Sequence, residues 1–317
     1  MSQQVDPQAI YLGRTDIRIP PLGTGTWAWG DRMFWGYGRN YSQADVEGAF
    51  QTSLTSGVNF FDTAEIYGWG RSERLLGQFI VAAGKPVVVA TKFMPFPWRL
   101  RRKNLIDALR GSLKRLGMER VDLYQVHWPI APVQIETWMD GMAEAVEAGL
   151  TRAVGVSNFS VSQMEQAYSA LSRRGLALAS NQVGYGLLNR APERTGLLAA
   201  CRQMGVTLIA YSPLTQGILT GKYTLENRPP GLRGRRYRSS RLAAIQPLIQ
   251  LLHHIGEVHD SKTPAQVALN WVICKGAVPI PGAKTARQAQ ENAGAIGWSL
   301  KHDEVAALDE ASQLTRW

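Results

Sequence analysis

Cysteine is nearly missing from this chain: Cys201 and Cys274 are the only two among 317 residues. That is too few for a disulfide framework, and it fits a reducing compartment, the cytoplasm. No apolar run approaches the roughly 18 residues that a membrane span needs, so no membrane partner is expected. The first seven residues show neither the basic n-region nor the apolar h-region of a secretory signal. The Asn-x-Ser sequons at Asn40 and Asn158 therefore carry little weight as glycan acceptors. Histidine is scarce as well, five in all. His253, His254 and His259 fall on a polar helix face away from every other candidate residue, so no metal is expected. Acidic residues are outnumbered, 25 against 35 basic ones, for a formal net charge of +10. Much of the excess lies in residues 99–103 and 233–241. No helix-turn-helix, RNA-binding or zinc signature accompanies it, so nucleic acid is not the expected partner. A phosphorylated small molecule would satisfy the second cluster more economically.

What is present is regular alternation. After a short hairpin pattern around Gly13, residues 22–26 read as a first strand. Helical stretches at 42–56, 71–83, 103–116, 135–148, 161–174, 195–204 and 263–275 each precede a glycine. An apolar strand follows each one, ending near Asp62, Lys92, His127, Ser157, Val183, Tyr211 and Pro281 respectively. About eight strand–helix units in succession argue for an α/β fold, a (β/α)8 TIM barrel forming one domain over residues 1–317. The long Gly/Pro/Arg stretch 212–241, after the seventh strand, breaks the pattern. Loops of that length are usually functional.

Gly23-Thr24-Gly25-Thr26-Trp27-Ala28 matches the dinucleotide fingerprint G-x-G-x-x-A. That fingerprint needs a helix to begin at the glycines. A glycine- and aromatic-rich loop follows instead, and the first helix signal waits until Ser42, so a Rossmann domain is not expected.

The chemistry gathers at strand ends. Asp62 closes the second strand, with Tyr67 one short loop later, Lys92 closes the third and His127 the fourth. Singly each has a dull explanation: a turn cap, a packed ring, a structural ion pair, a core histidine. Together they form a proton-donating oxyanion site without a nucleophile. A phenol titrates near 10, and a neighbouring ammonium lowers that value if a carboxylate offsets the ammonium's own burial. His127 would orient a carbonyl oxygen beside Tyr67. Absence of Tyr-x-x-x-Lys argues against a short-chain dehydrogenase.

These residues and their surroundings resemble the aldo-keto reductases over nearly the whole chain. The resemblance rests on Phe61-Asp62-Thr63-Ala64-Glu65-Ile66-Tyr67-Gly68, Thr91-Lys92, Asp122 to Trp128, Gly155-Val156-Ser157-Asn158-Phe159, Asn181-Gln182-Val183 and Ala210-Tyr211-Ser212-Pro213-Leu214. It implies a barrel that binds extended NADPH, with Asp62, Tyr67, Lys92 and His127 as the catalytic tetrad. It implies that Ser157, Asn158 and Gln182 hold the nicotinamide carboxamide and Tyr211 stacks on its ring. Gly25 and Thr26 would line the mouth, and Ser212, Leu214, Gly217, Leu219 and Lys222 the pyrophosphate. Gly282, Lys284, Gln288, Glu291 and Asn292 would take the adenosine phosphate. Here the chain departs from better-known members, with Gly282-Ala283 where they carry Lys-Ser and Gln288 where they carry Arg. The glutamine form resembles the branch of potassium-channel β subunits, in which a Lys of a Gly-Lys-Tyr motif serves; Lys222 stands in one, and Arg233 or Arg236 would add charge.

The expected function is NADPH-dependent reduction of an aldehyde or ketone. Trp27, Trp29, Trp98 and Trp128, in loops after strands, would wall the substrate site and favour an apolar or aromatic aldehyde. Trp35 and Trp69 fall on the same rim. The alternative is a cofactor-binding regulatory module like the channel subunits, with slow turnover. The expected partner is a small-molecule carbonyl compound, and the chain a monomer or weak homo-oligomer.

Overall fold

A computed structural model describes residues 9–229 and 237–314. Strands β1 (Ile10–Tyr11) and β2 (Arg18–Ile19) form an antiparallel hairpin. The other strands are β3 (Thr24–Gly25), β4 (Phe60–Asp62), β5 (Val88–Phe93), β6 (Val121–Val126), β7 (Thr151–Ser157), β8 (Leu178–Gly184), β9 (Thr207–Tyr211) and β10 (Val278–Ile280). These pair in sequence order as one eight-stranded parallel sheet. Helices α1 (Gln43–Thr55), α2 (Arg71–Ala83), α3 (Arg102–Leu116), α4 (Ile135–Glu147), α5 (Val161–Ser172), α6 (Ala191–Arg194) and α7 (Leu197–Met204) lie between the strands. The expected barrel is therefore present, with its hairpin.

The local chemistry agrees with the elements. Ser42 caps α1 in a box with Asp45, and Ser160 does the same for α5 with Gln163, satisfying amides that helix starts leave bare. Gly84 after α2 and Gly117 after α3 adopt left-handed φ of 58° and 66°, which a Cβ would strain.

The sheet closes on itself through backbone alone. Gly23 N donates to Pro279 O at 3.0 Å and Gly25 N to Pro281 O at 3.0 Å, with a parallel bridge from Gly25 to Gly282. A Cβ on Gly23 would lie 2.5 Å from a Phe60 ring carbon, and one on Gly25 would lie 2.9 Å from Ile280 O. The glycines that mimic a dinucleotide fingerprint are thus the barrel's seam.

One end of the barrel is plugged. Leu12, Ile17 and Ile19 of the hairpin pack on Phe60, Ala90, Leu123, Ala153, Ala179, Ile209, Val278 and Ile280, an apolar floor inside the strands. Two residues further along, the same inward faces turn polar at Asp62, Lys92 and Gln125, all buried. Period-2 alternation along parallel strands sets both layers. The site sits on the upper layer, at the C-terminal strand ends.

Three later helices flank Pro264–Cys274 or follow β10: Ser239–Val258, Ala286–Ala293 and His302–Leu314. His253 and His254 lie exposed on the first of these, and among the described residues no cluster of His, Cys, Asp or Glu is placed to hold a metal. No helix among those residues is long and apolar enough to cross a membrane. Among the described residues of the 212–241 stretch, short 3-10 turns lie at Thr215–Thr220 with a kink at Gln216 and Gly217, and the long helix starts at Ser239. Arg233 and Arg236 lie outside the described residues.

The helix that follows Tyr67 is held by a close backbone approach: a Cβ on Gly77 of α2 would meet Leu116 O at 2.2 Å. Gly77→Ala should force α2 off α3 and destabilise the fold by roughly 1–3 kcal/mol. Urea unfolding checks this, and an unchanged midpoint would show that the helices part freely.

Candidate active site

The polar layer is organised by one ion pair. Lys92 Nζ donates to Asp62 Oδ1 at 2.5 Å, to Thr63 O at 2.8 Å and, more loosely, to Tyr67 Oη at 3.5 Å. β4 and β5 are adjacent and in register, Asp62 opposite Ala90, which brings Lys92 one inward step above the carboxylate. The other carboxylate oxygen accepts from Gln182 Nε2 at 2.8 Å and Gln125 Nε2 at 3.3 Å. Asp62 is thus hydrogen-bonded at both oxygens, as a buried charge must be.

Tyr67 lies on a turn that bends sharply after it. Gly68 and Trp69 have φ of 55° and 58°, and Trp69 stands almost wholly in solvent. The Tyr67 ring stays partly exposed, crosses the His127 ring edge-on at 5.8 Å, and has its hydroxyl turned toward Lys92. Four residues from separate sequence stretches therefore meet at one mouth.

The electrostatics differ from the sequence expectation at Tyr67. Burial raises its pKa, Lys92 lowers it and Asp62 raises it, and the net shift is upward. The ammonium's effect is present but outweighed, so the phenol remains protonated at neutral pH. Burial pulls the Lys92 ammonium down, but the Asp62 carboxylate, with Tyr67 as a further partner, overcomes this and leaves it raised. Burial, with a smaller contribution from Lys92, drops His127 to about 3. His127 is therefore neutral near pH 7. Its Nδ1 is buried without a partner among the described residues.

The candidate cofactor residues form three neighbouring groups. At the mouth, Asn158 donates from Nδ2 to His127 O and Ser157 Oγ, each at 3.0 Å, and its Oδ1 accepts from Tyr211 Oη at 3.0 Å. Ser157 Oγ donates to Gln182 O at 2.9 Å. Asn158 and Ser212 hold φ of 64° and 52°, strained backbone of the kind that collects at binding sites. Gln182, expected to meet a carboxamide, spends its amide nitrogen on Asp62. Beyond β9 lie Leu214, Gly217 and Lys222, whose ammonium sits over the Tyr223 ring at 5.0 Å. After β10 come exposed Gly282, then Lys284, with its ammonium over Trp35 at 5.2 Å and Tyr41 at 5.0 Å. Gln288 accepts from Lys284 N at 2.8 Å, Asn292 Nδ2 reaches Gly282 O at 3.5 Å, and Glu291 is partly exposed on the same helix.

Some expectations need correction. Trp29 is not on the rim: it is fully buried against Phe61 and Phe79, and its Nε1 donates to Ala283 O at 2.7 Å. Thr26 is buried too, its hydroxyl committed to Asp62 O at 3.0 Å, and the Leu219 side chain lies in the core. Thr26 and Trp29 face inward because the chain turns over the barrel edge between them, Trp29 N donating to Thr26 O. Trp27, Trp98 and Trp128 are exposed, in the segments after β3, β5 and β6. Trp27 stacks on Phe34 at 5.2 Å and lies 6.4 Å from the Tyr67 ring. Gln125 and Thr63 O were not foreseen as part of the site; counting two residues up each inward face would have found Gln125.

The sequence model of the Aldo/keto reductase family matches residues 21–313. The chain is 42% identical to pyridoxal reductase, chloroplastic, of Arabidopsis thaliana, over 96% of this chain and 86% of that one. It is 31% identical to a probable voltage-gated potassium channel subunit beta of Oryza sativa subsp. japonica, over 90% of both. A crystal structure of an aldo-keto reductase from Klebsiella pneumoniae in complex with NADPH superposes with a TM-score of 0.73, at 27% identity, covering 92% of this chain and 91% of the other.

The two shifted groups make a pH prediction. His127, lowered to about 3, stays neutral down to mildly acidic pH, and Tyr67, raised above 10, stays protonated into the alkaline range. Turnover with a carbonyl substrate should be level from about pH 5 to 9. A midpoint near 6.5 in kcat/KM, the value of an ordinary histidine, would contradict this. For folding the sign runs the same way. Below about pH 6.5 the unfolded chain takes up a proton that folded His127 refuses. Stability from this group is complete above that pH and is lost as pH falls toward 3.

Proposed function

The chain belongs to the aldo/keto reductase family, and we propose that it reduces planar aromatic aldehydes, with Tyr67 as the proton donor. The cofactor is NADPH, which supplies the hydride when bound. The residues suit such a molecule by their chemistry: a half-buried Tyr211 ring and amide groups at the mouth, then cationic Lys222 and Lys284 further out. An exposed Gly282, where a Cβ would come no closer than 3.7 Å to anything, leaves room between them.

The observation that carries the reading is a buried ammonium between a carboxylate and a phenol. Tyr67 is protonated at neutral pH and has a proton to give. Once that proton passes to the oxygen of the reduced carbonyl, the phenolate left behind faces Lys92 Nζ and is stabilised by it. Asp62 keeps the ammonium in place, and Gln182 and Gln125 keep Asp62 in place. His127, neutral and beside the Tyr67 ring, donates a hydrogen bond that holds the substrate oxygen. Trp27, stacked on Phe34, stands on one side of the Tyr67 ring.

Two facts favour an aromatic aldehyde over a free sugar: the aromatic wall next to Tyr67, and the Arabidopsis relative's name, pyridoxal being a planar aromatic aldehyde. The channel β-subunit relatives keep a second reading open, that of a regulatory module which holds NADPH and turns over slowly, but the identity to them is lower. The compartment we propose is the cytoplasm, where both free cysteines stay reduced.

NADPH absorbance with pyridoxal and benzaldehyde tests the proposal. Tyr67→Phe should lose about 10²–10⁴-fold in kcat while binding NADPH normally. A variant that keeps its turnover would remove Tyr67 as the acid. Tight NADPH binding by wild type with no turnover of any carbonyl would favour the regulatory module.

A further inference from the structure

The loop after β5 carries an arginine that does no work in the mechanism above, yet it is firmly held. Arg99 donates from Nη1 to Glu65 Oε1 at 2.5 Å and from Nη2 to Oε2 at 3.1 Å, a forked pair that lysine cannot reproduce. Nη1 also donates to Met94 O at 2.9 Å, and Glu65 Oε1 accepts from Met94 N at 2.7 Å. The pair is mostly out of water, the side chains 21% and 8% exposed.

Beyond the pair lies a stack. The guanidinium sits 5.3 Å from the Phe96 ring centre and 5.2 Å from that of Phe93. Phe96 in turn lies parallel to Trp98, centroids 4.7 Å apart and planes within 4°. Trp98 is nevertheless 72% exposed. A buried fork and two aromatic layers thus hold one large apolar ring open to solvent, which is a poor return in stability. Glu65, where the stack is anchored, lies between Asp62 and Tyr67 in sequence. The position of Trp98 is therefore referenced to the loop that carries the proton donor.

Resting on the carbonyl-reductase reading, we propose that Arg99 is a positioning residue for substrate specificity. Acting through Phe96, it fixes Trp98 as a platform on which the distal ring of an extended planar aromatic aldehyde stacks. It takes no part in proton or hydride transfer. Aldehydes with a second fused ring gain from the platform, and aldehydes too short to reach it do not.

The test compares 2-naphthaldehyde with propanal, using wild type, Arg99→Lys, Glu65→Gln, Trp98→Ala and the Arg99→Lys/Trp98→Ala double variant, each with its thermal midpoint. Arg99→Lys and Glu65→Gln should raise KM for 2-naphthaldehyde about tenfold with kcat little changed, the size expected of one lost aromatic stack. Their propanal kcat/KM should stay within about twofold. Because Arg99 acts through Trp98, the double variant should be no worse than Trp98→Ala. Equal losses on both aldehydes, or additive losses in the double variant, would overturn the positioning role. Failure of wild type to reduce either aldehyde would sink the reductase reading instead. Should Arg99→Lys fold poorly, Glu65→Gln carries the comparison, since it keeps the shape and one acceptor of the pair.

Discussion

A lysine ammonium with no solvent exposure is the constraint on which the upper half of this barrel depends. Taking such a charge out of water costs several kcal/mol unless it is paired and its remaining hydrogens are satisfied. Asp62 supplies the pairing charge, Thr63 O a further acceptor, and Tyr67 Oη the loosest of the three partners. Asp62 then has its own needs, met by amides from β6 and β8 across the barrel. Burying one cation thereby recruits side chains from three other strands or their following loops. The weak third contact is where we propose the chemistry lies, at the partner held least firmly.

That arrangement exists only because the barrel closes with the right residues facing in. Closure is made by glycine backbones at Gly23 and Gly25 against the segment after β10, and the hairpin fills the floor with Leu12, Ile17 and Ile19. The alternation that places Phe60 and Ala90 in the floor places Asp62 and Lys92 two residues higher. Fold and site are one periodic pattern read at two heights. The clamp from Glu65 to Arg99 extends the same logic outward, linking the exposed Trp98 indole through Phe96 to the loop that carries Tyr67.

Much of this was legible beforehand, and for local reasons. Helix caps, terminal glycines and apolar runs are properties of a few adjacent residues, and they located the barrel strands and helices α1 to α5 closely. The charged strand ends were equally visible. What escaped were facts set by distant partners. Trp29 sits on an aromatic loop beside Trp27 and looks identical in sequence, but an acceptor at Ala283, over two hundred positions away, draws it inside. Gln182 was matched to a cofactor amide, while the structure commits its nitrogen to Asp62 from 120 residues away. The sign at Tyr67 was missed because neighbouring charge can be read from a motif and the depth of burial cannot. Arg99 read as one more basic residue in a charged run, since nothing local marks its carboxylate partner.

The central claim is that Lys92 and Tyr67 act as one proton-donating unit. Single-turnover hydride transfer from bound NADPH to benzaldehyde, measured for Lys92→Met, Tyr67→Phe and the double variant, tests it most directly. Residues acting as a unit lose most of their effect with the first removal. The double variant should therefore be about as slow as the slower single one. Losses that multiply would mean that Lys92 serves the barrel's structure alone and that Tyr67 gives up its proton without it.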